Sequence, residues 1–576
     1  MARQMFNQET NRLDYGELLL PDVEYNMDFA VGLTYSLDLE ALLGVPVSLG
    51  LLDCMDSSHM QSPFFLLEAI RKSSDKIAIF CNAGCIKLPQ RIEPVYALLE
   101  NSVFEVSLTK KANFHPKLWV IRYSDAYANS YIKVITLSRN LTFDRSFDVA
   151  AEMMGIIGDT VSEHNRPLSD LLRFVAAYLP NVKSRQIKTL ARDVLKVSEF
   201  ELAEPFESYA FHPFGIPGHK GAAEMLLSDA NNLMVISPFL SDGVVEKLTA
   251  QPTNKTLITR KSSVSPKILH CFDDVFITKD VVMDNALLEE SDHTTEAKRD
   301  IHAKLYFKNN FSGNYLFLGS LNASDNAFYH NVEFLLELKF KPRYASYQSI
   351  LNDFLPAESS PFEPLLSADE YQSENDEEES DSLSDVVDAL QSAYATLCND
   401  RYSVTVHCNK LASPAEIATL FRPRSFVPLD EATQLPELLL KELSEFYIIR
   451  RSDTYAVVKI HTEGIPYKER DNAIYNAVIG SKSGFLAFVA FMLTDNYSET
   501  SMEQRHFMDA LRRGETSTDT IPAALYERLL RTTAANPRKL DDIENVMQRL
   551  GPDIVTDDFR SLLATFRTAV KKVKRK

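Results

Sequence analysis

One ordered set of polar residues occurs twice in this chain, and it constrains the fold more than any other feature. The first copy is His115-Pro-Lys117, then Ser138-Arg-Asn140, then Glu152. The second is His302-Ala-Lys304, then Ser320-Leu-Asn322, then Glu333. A lone His-x-Lys means little, because 12 histidines give roughly one such triplet by chance. The whole order, met twice, is a different matter. The stretches around it also repeat: "FAVGLTYSLDLEALL" resembles "LMVISPFLSDGVVEKL", and "HPKLWVIRY" resembles "HAKLYFKNN". "ITLSRNLT" resembles "LGSLNAS", and "VAAEMMGII" resembles "NVEFLLELKF". A sequence that repeats its pieces in order predicts two structurally similar halves.

Each half alternates strand-like apolar runs with helical patterns, which is the mark of an α/β unit. Strands are expected at 28–35, 76–81, 102–108, 117–123 and 132–137, and again at 233–239, 255–260, 303–308, 315–320 and 332–340. Helices fit between them, for example over 168–179 and 221–227. The expected boundaries are 1–190 for the first half and 191–365 for the second. An acidic linker should occupy 366–390, and a separate α+β domain for partner or substrate binding 391–576. This count agrees with about 100–200 residues per domain in a chain of 576.

The spacing has a chemical reading. Residues i and i+2 of a strand share a face, so His115 and Lys117 point together, as do Ser138 and Asn140. An adjacent-strand hairpin would gather all four. A neutral imidazole can attack phosphorus, while lysine and asparagine donate to the nonbridging oxygens that carry transition-state charge. A carboxylate behind the ring fixes its tautomer. Two sets facing each other would supply a nucleophile and a general acid in one pocket. Two lysines and two asparagines furnish the electrostatics, so no metal or other cofactor is expected.

Over about residues 25 to 345 the pattern resembles the phospholipase D superfamily, whose members carry two His-x-Lys motifs in a duplicated α/β fold. The resemblance implies two mixed-sheet halves forming one pocket and a reaction through a phosphohistidine. It implies His115, Lys117, Asn140, His302, Lys304 and Asn322 as the catalytic core, with Ser138, Glu152, Ser320 and Glu333 in support. His115 would be the nucleophile and His302 the acid. The superfamily's classical motif has an aspartate five residues after the lysine, where this chain has Arg122 and Asn309. In that respect it is similar to the tyrosyl-DNA phosphodiesterase branch and to bacterial nuclease-like members. The implied partner is therefore nucleic acid, DNA ahead of RNA. The same resemblance suggests a part in anti-phage defence beside a helicase or ATPase, and the C-terminal unit would then serve partner binding, self-association into a homo-oligomer, or substrate loading. Phospholipid cleavage and a non-catalytic binding scaffold are the rival readings. The gap from His115 to Asn140 is 140 − 115 = 25, against 322 − 302 = 20 in the second copy, so "SDAYANS" is expected as a hairpin loop near the pocket.

Composition bears on partners and compartment. Lys and Arg number 61 against 80 Asp and Glu, giving a net charge of −19. That excludes a wholly basic nucleic-acid coat while leaving room for a local basic groove. Ten of the acidic residues lie between Asp369 and Asp388 with no basic residue among them. This stretch should be disordered or loosely held, as a solvated tether or as a competitor for a basic groove. The longest apolar run, "GFLAFVAFML" at 484–493, is about half of a bilayer span and reads as a buried helix or strand. Scattered cysteines and an N-terminal stretch without an apolar signal core point to the cytoplasm, with no membrane partner. "GSKSG" (480–484) lacks phosphate-loop spacing, and "VKIHTEG" (458–464) reverses the order of histidine and lysine.

Overall fold

A computed structural model describes residues 15–49, 63–108, 112–142, 146–179, 181–219, 224–279, 300–356, 360–365, 383–493 and 523–573. The first sheet is built from β1 (Asn26–Leu33), β2 (Ile77–Asn82), β3 (Val103–Val106), β4 (Leu118–Ser124), β5 (Ser130–Leu137) and β6 (Ala150–Ile156). Its spatial order is β3-β2-β1-β4-β5-β6. The β1–β2 and β2–β3 pairs are parallel, and the three pairs from β1 to β6 are antiparallel.

The second sheet repeats this plan. It uses β7 (Ser208–Phe214), β8 (Asn232–Ile236), β9 (Asn254–Thr259), β10 (Asp274–Thr278), β11 (Leu305–Asn310), β12 (Gly313–Gly319), β13 (Glu333–Phe340) and β14 (Phe362–Pro364). Within it, β10-β9-β8-β11-β12-β13 has the same order and the same senses as the first sheet, with β7 and β14 added at the two edges. The strands expected from sequence all form, within a few residues of the expected ends.

Both faces of the first sheet are covered, which is why its central strands read as unbroken apolar runs. On β4, Leu118 and Val120 enter a core shared with Met234, Ile236, Leu305 and Phe307 of the second half. Trp119, Ile121 and Tyr123 enter a different core on the opposite face. Strand periodicity thus sends alternate residues of one strand into two cores.

That second core corrects one expectation: the C-terminal region does not stand apart. Ile448, Val457, Phe485, Phe488, Leu525 and Leu563 share a core with Trp119 and Ile121. Two short strands of the first half, Leu37–Asp38 and Ile86–Lys87, also join a mixed sheet with strands from the C-terminal region. The junction is the pairing of Ile86 with Val457. Buried polar contacts fix it. The Arg470 Nη1 donates to Glu100 Oε2 at 2.6 Å, with the two side chains 2% and 3% exposed. Glu100 Oε1 accepts from Ser444 Oγ at 2.7 Å and from the Glu445 amide at 2.8 Å. Glu105 accepts from the Gly84 amide at 2.8 Å and the Lys459 amide at 2.6 Å. A buried carboxylate needs such donors, and here the first half presents the carboxylates while the C-terminal region supplies most of the donors.

The acidic stretch is described only at its end. Residues 383–388 are ordered: a helix spans Ser384–Ala389, Leu383 and Val386 are buried, and Asp385 pairs with Arg451 at 2.7 Å. The rest of it, 369–382, lies outside the described residues. The apolar run at 484–493 falls mainly in a buried helix, Lys482–Met492. Among the described residues no single helix is long and apolar enough to cross a membrane.

Candidate active site

The two halves are joined by reciprocal straps. The segment leading into the first His-x-Lys runs parallel to the entry of β13: Phe114 bridges Val332, and the His115 amide donates to the Val332 carbonyl at 2.9 Å. The segment leading into the second pairs in parallel with the entry of β6. There Ile301 lies opposite Phe147, and the His302 amide donates to the Phe147 carbonyl at 3.0 Å. Each histidine is therefore held against the other half by its own backbone.

The strap places His115 beside Glu333. His115 Nδ1 lies 2.8 Å from Glu333 Oε2, and Lys117 Nζ lies 2.8 Å from His115 Nε2. This geometry fixes the tautomer. A carboxylate only accepts, so the ring proton sits on Nδ1, and an ammonium only donates, so Nε2 presents its lone pair. Glu333 is fully buried, and its oxygens are otherwise occupied. Oε1 accepts from Asn331 Nδ2 at 3.1 Å, and Oε2 also takes the Ser320 hydroxyl. Ser320 is aimed by its backbone neighbour: its Oγ accepts from the Phe334 amide at 2.9 Å, which leaves its hydrogen for the carboxylate. Tyr35 packs edge-on against the imidazole, with ring centroids 5.0 Å apart. Lys117 and Lys304 make the same contact in each half, donating to the carbonyl of their own histidine at 3.3 and 2.8 Å. Both lysines are 1% exposed.

The second set corrects the sequence reading of Glu152. That side chain is exposed and lies 3.7 Å from Lys133, outside the site. Its place is taken by Asp148, which spacing alone missed. Ser138 Oγ accepts from the Val149 amide at 2.9 Å and donates to Asp148 Oδ1 at 3.1 Å. That is the arrangement of Ser320, Phe334 and Glu333 repeated. Asp148 directly follows Phe147, the strap partner of Ile301, as Glu333 directly follows Val332, the strap partner of Phe114. A sequence signal existed: "FDVA" matches "VEFL" in its apolar, acidic, apolar, apolar order, four residues before the alignment that selected Glu152.

The asparagines differ for a covalent reason. Asn140 Oδ1 accepts from the Tyr35 amide at 3.3 Å, which turns its Nδ2 the other way. Thr34 bonds the Leu141 amide in the first half just as Ser237 bonds that of Ala323 in the second. The residue matching Tyr35 is therefore Pro238, which has no N–H to give. Asn322 is 5% exposed, and its Oδ1 has no hydrogen-bond partner among the described residues.

"SDAYANS" does form a hairpin loop between β4 and β5, but away from the pocket. The motif residues sit at the opposite ends of both strands, and seven strand residues put the turn roughly 20 Å from His115. Arg122, one of the positions that departs from the classical motif, binds Asp193 at 2.9 Å and does not enter the site. Among the described residues no group of three or more His, Cys, Asp or Glu side chains is placed to hold a metal ion.

No family model matches this chain, and no curated protein matches it. Solved structures do. A histidine-to-alanine variant of the yeast tyrosyl-DNA phosphodiesterase is 12% identical with a TM-score of 0.36, over 56% of this chain and 85% of that one. The same yeast enzyme without that change gives 13% and 0.35, over 60% and 90%. The polyphosphate kinase from Porphyromonas gingivalis gives 10% and 0.30, over 55% and 40%. Scores of this size leave the reading of the site to the chain's own residues.

Proposed function

We propose that this chain is a phosphodiesterase of the phospholipase D type that cleaves nucleic acid, DNA ahead of RNA. The observation that supports this best is the buried chain Ser320–Glu333–His115–Lys117. It holds a neutral imidazole with its Nε2 lone pair beside an ammonium. In the proposed reaction Nε2 of His115 attacks phosphorus, and the bond to the leaving oxygen breaks. His302 gives that oxygen a proton. Lys117 shifts from Nε2 to a nonbridging oxygen, where Lys304, Asn140 and Asn322 also donate. Water then attacks the phosphohistidine, His302 takes its proton, and His115 is regenerated. Asp148 is assigned to His302 the role that Glu333 has for His115. The arginine and asparagine at the positions of the classical aspartate favour nucleic acid over phospholipid. A defence role beside a helicase or ATPase belongs to the same proposal and rests on the resemblance alone.

The test is cleavage of labelled single- and double-stranded DNA, RNA and a phospholipid in EDTA. Wild type, His115→Ala and His302→Ala should be compared side by side. Nucleic-acid cleavage that persists in EDTA and is lost in both variants supports the proposal. Lipid turnover alone, or cleavage retained in either variant, overturns it.

A further inference from the structure

The two halves differ at one matched position on the rim of the site. Asn82 ends β2, and its Oδ1 accepts from the amide of Phe114, the residue before His115, at 2.8 Å. Its counterpart follows from the hydrogen bonds at the strand ends. The Thr34 amide donates to Phe80, and the Ser237 amide donates to Ile258. Phe80 therefore matches Ile258, and two residues further on Asn82 matches Arg260. Arg260 Nη2 donates to the carbonyl of Ile301, the residue before His302, at 3.4 Å. Its guanidinium lies over the Phe239 ring, 4.6 Å from the centroid, and both residues are half-buried. The next residue is Lys261, where the first half has the uncharged Asn82-Ala83-Gly84. The other basic residue beside a motif, Arg139, lies between Ser138 and Asn140. Its Nη2 donates to the Thr142 carbonyl at 2.9 Å.

From this asymmetry we infer that Arg260, held over the ring of Phe239, binds a second phosphate of the substrate on the His302 side of the pocket. A planar guanidinium pinned on an aromatic face loses little freedom on binding and suits a phosphate oxygen pair. This inference rests on the proposed function and narrows it: the substrate is a polyanion whose chain continues on the leaving-group side. A nucleic-acid strand has that form, and an isolated phosphodiester does not.

The test compares a single-stranded oligonucleotide with bis(p-nitrophenyl) phosphate, which has no neighbouring phosphate. For Arg260→Ala the ratio of kcat/KM between oligonucleotide and small diester should fall at least tenfold, mainly through KM. Arg260→Lys should recover part of the loss, and Phe239→Ala should fall between wild type and Arg260→Ala. An unchanged ratio overturns the inference. A second measurement separates its failure from that of the proposed function. Fluorescence anisotropy of a labelled oligonucleotide on His115→Ala and on His115→Ala/Arg260→Ala needs no turnover. At least fivefold weaker binding in the double variant supports the inference, even if wild type cleaves nothing. Equal binding refutes it.

Discussion

Replacing Arg470 by Met should destabilise the core around Trp119, although the two residues lie far apart in sequence. Among the described residues, the change removes the one cation that hydrogen-bonds to the Glu100 carboxylate, which is 3% exposed, and leaves that carboxylate two neutral donors, Ser444 Oγ and the Glu445 amide. Breaking one side of a buried ion pair costs about 3–5 kcal/mol, because the remaining charge stays buried without a partner. Burial already holds the Glu100 carboxyl above its ordinary range, opposed by Arg470. Losing Arg470 raises it further. A raised carboxyl keeps its proton longer in the folded state than in the unfolded state, so the folded variant loses stability as pH rises. The deficit should therefore be largest near pH 7 and shrink towards pH 5. Glu100→Gln/Arg470→Met should recover most of the loss, since neither charge of the buried pair remains. Trp119 is the only tryptophan, is 2% exposed and sits in the core shared with the C-terminal region, so its fluorescence reports directly. A denaturant titration followed at Trp119 should show the whole deficit. If the Trp119 transition stays within about 0.5 kcal/mol of wild type, as for an unrelated surface change, while circular dichroism shows the C-terminal helices melting early, the shared core is refuted.

Glu333→Gln keeps the size of the side chain but no longer fixes the proton on Nδ1 of His115. Turnover should fall about 100-fold or more and its pH profile should shift, whereas an unaltered profile would mean the carboxylate does not orient the ring. Gly319 has φ of 153°, and a Cβ there would collide with the Phe334 carbonyl, next to Ser320. Gly319→Ala should cost more than about 1 kcal/mol by thermal unfolding, and a neutral result would contradict the close approach of β12 and β13. Burial pushes the Glu105 carboxyl up to about 7, against two backbone amides that lower it. The folded state then holds an extra proton above the ordinary carboxylate range, so stability should decline as pH rises towards 7. Glu105→Gln should flatten that slope, and an unchanged slope would assign it to other groups.

The two-halved fold was legible because both faces of the central strands are buried, which leaves unbroken apolar runs, and because those runs recur in the same order in each half. The His-x-Lys and Ser-x-Asn pairs were legible because they recur in the same order next to those runs, each just outside a strand end. Asp148 was legible only through the match of "FDVA" to "VEFL", and what selects that match over the one at Glu152 is the strap between Phe147 and Ile301, a contact between halves. Arg260 was hidden likewise, since its neighbour Ile301 belongs to a distant strand end. The docking of the C-terminal region depends on Glu100 and Arg470, 370 residues apart. Periodicity reveals that strands and helices exist there but not which sheet they cover.

The central claim is that His115 carries the phosphoryl group. It is tested most directly by mixing the His302→Ala protein with a labelled oligonucleotide that ends in a p-nitrophenyl phosphodiester, whose leaving group needs no proton from His302, then quenching in alkali and mapping the labelled peptide. The account predicts an acid-labile, alkali-stable label on the peptide containing His115, absent when His115 is also replaced. Label on any other residue, or cleavage by wild type with no covalent label under any quench, would contradict it.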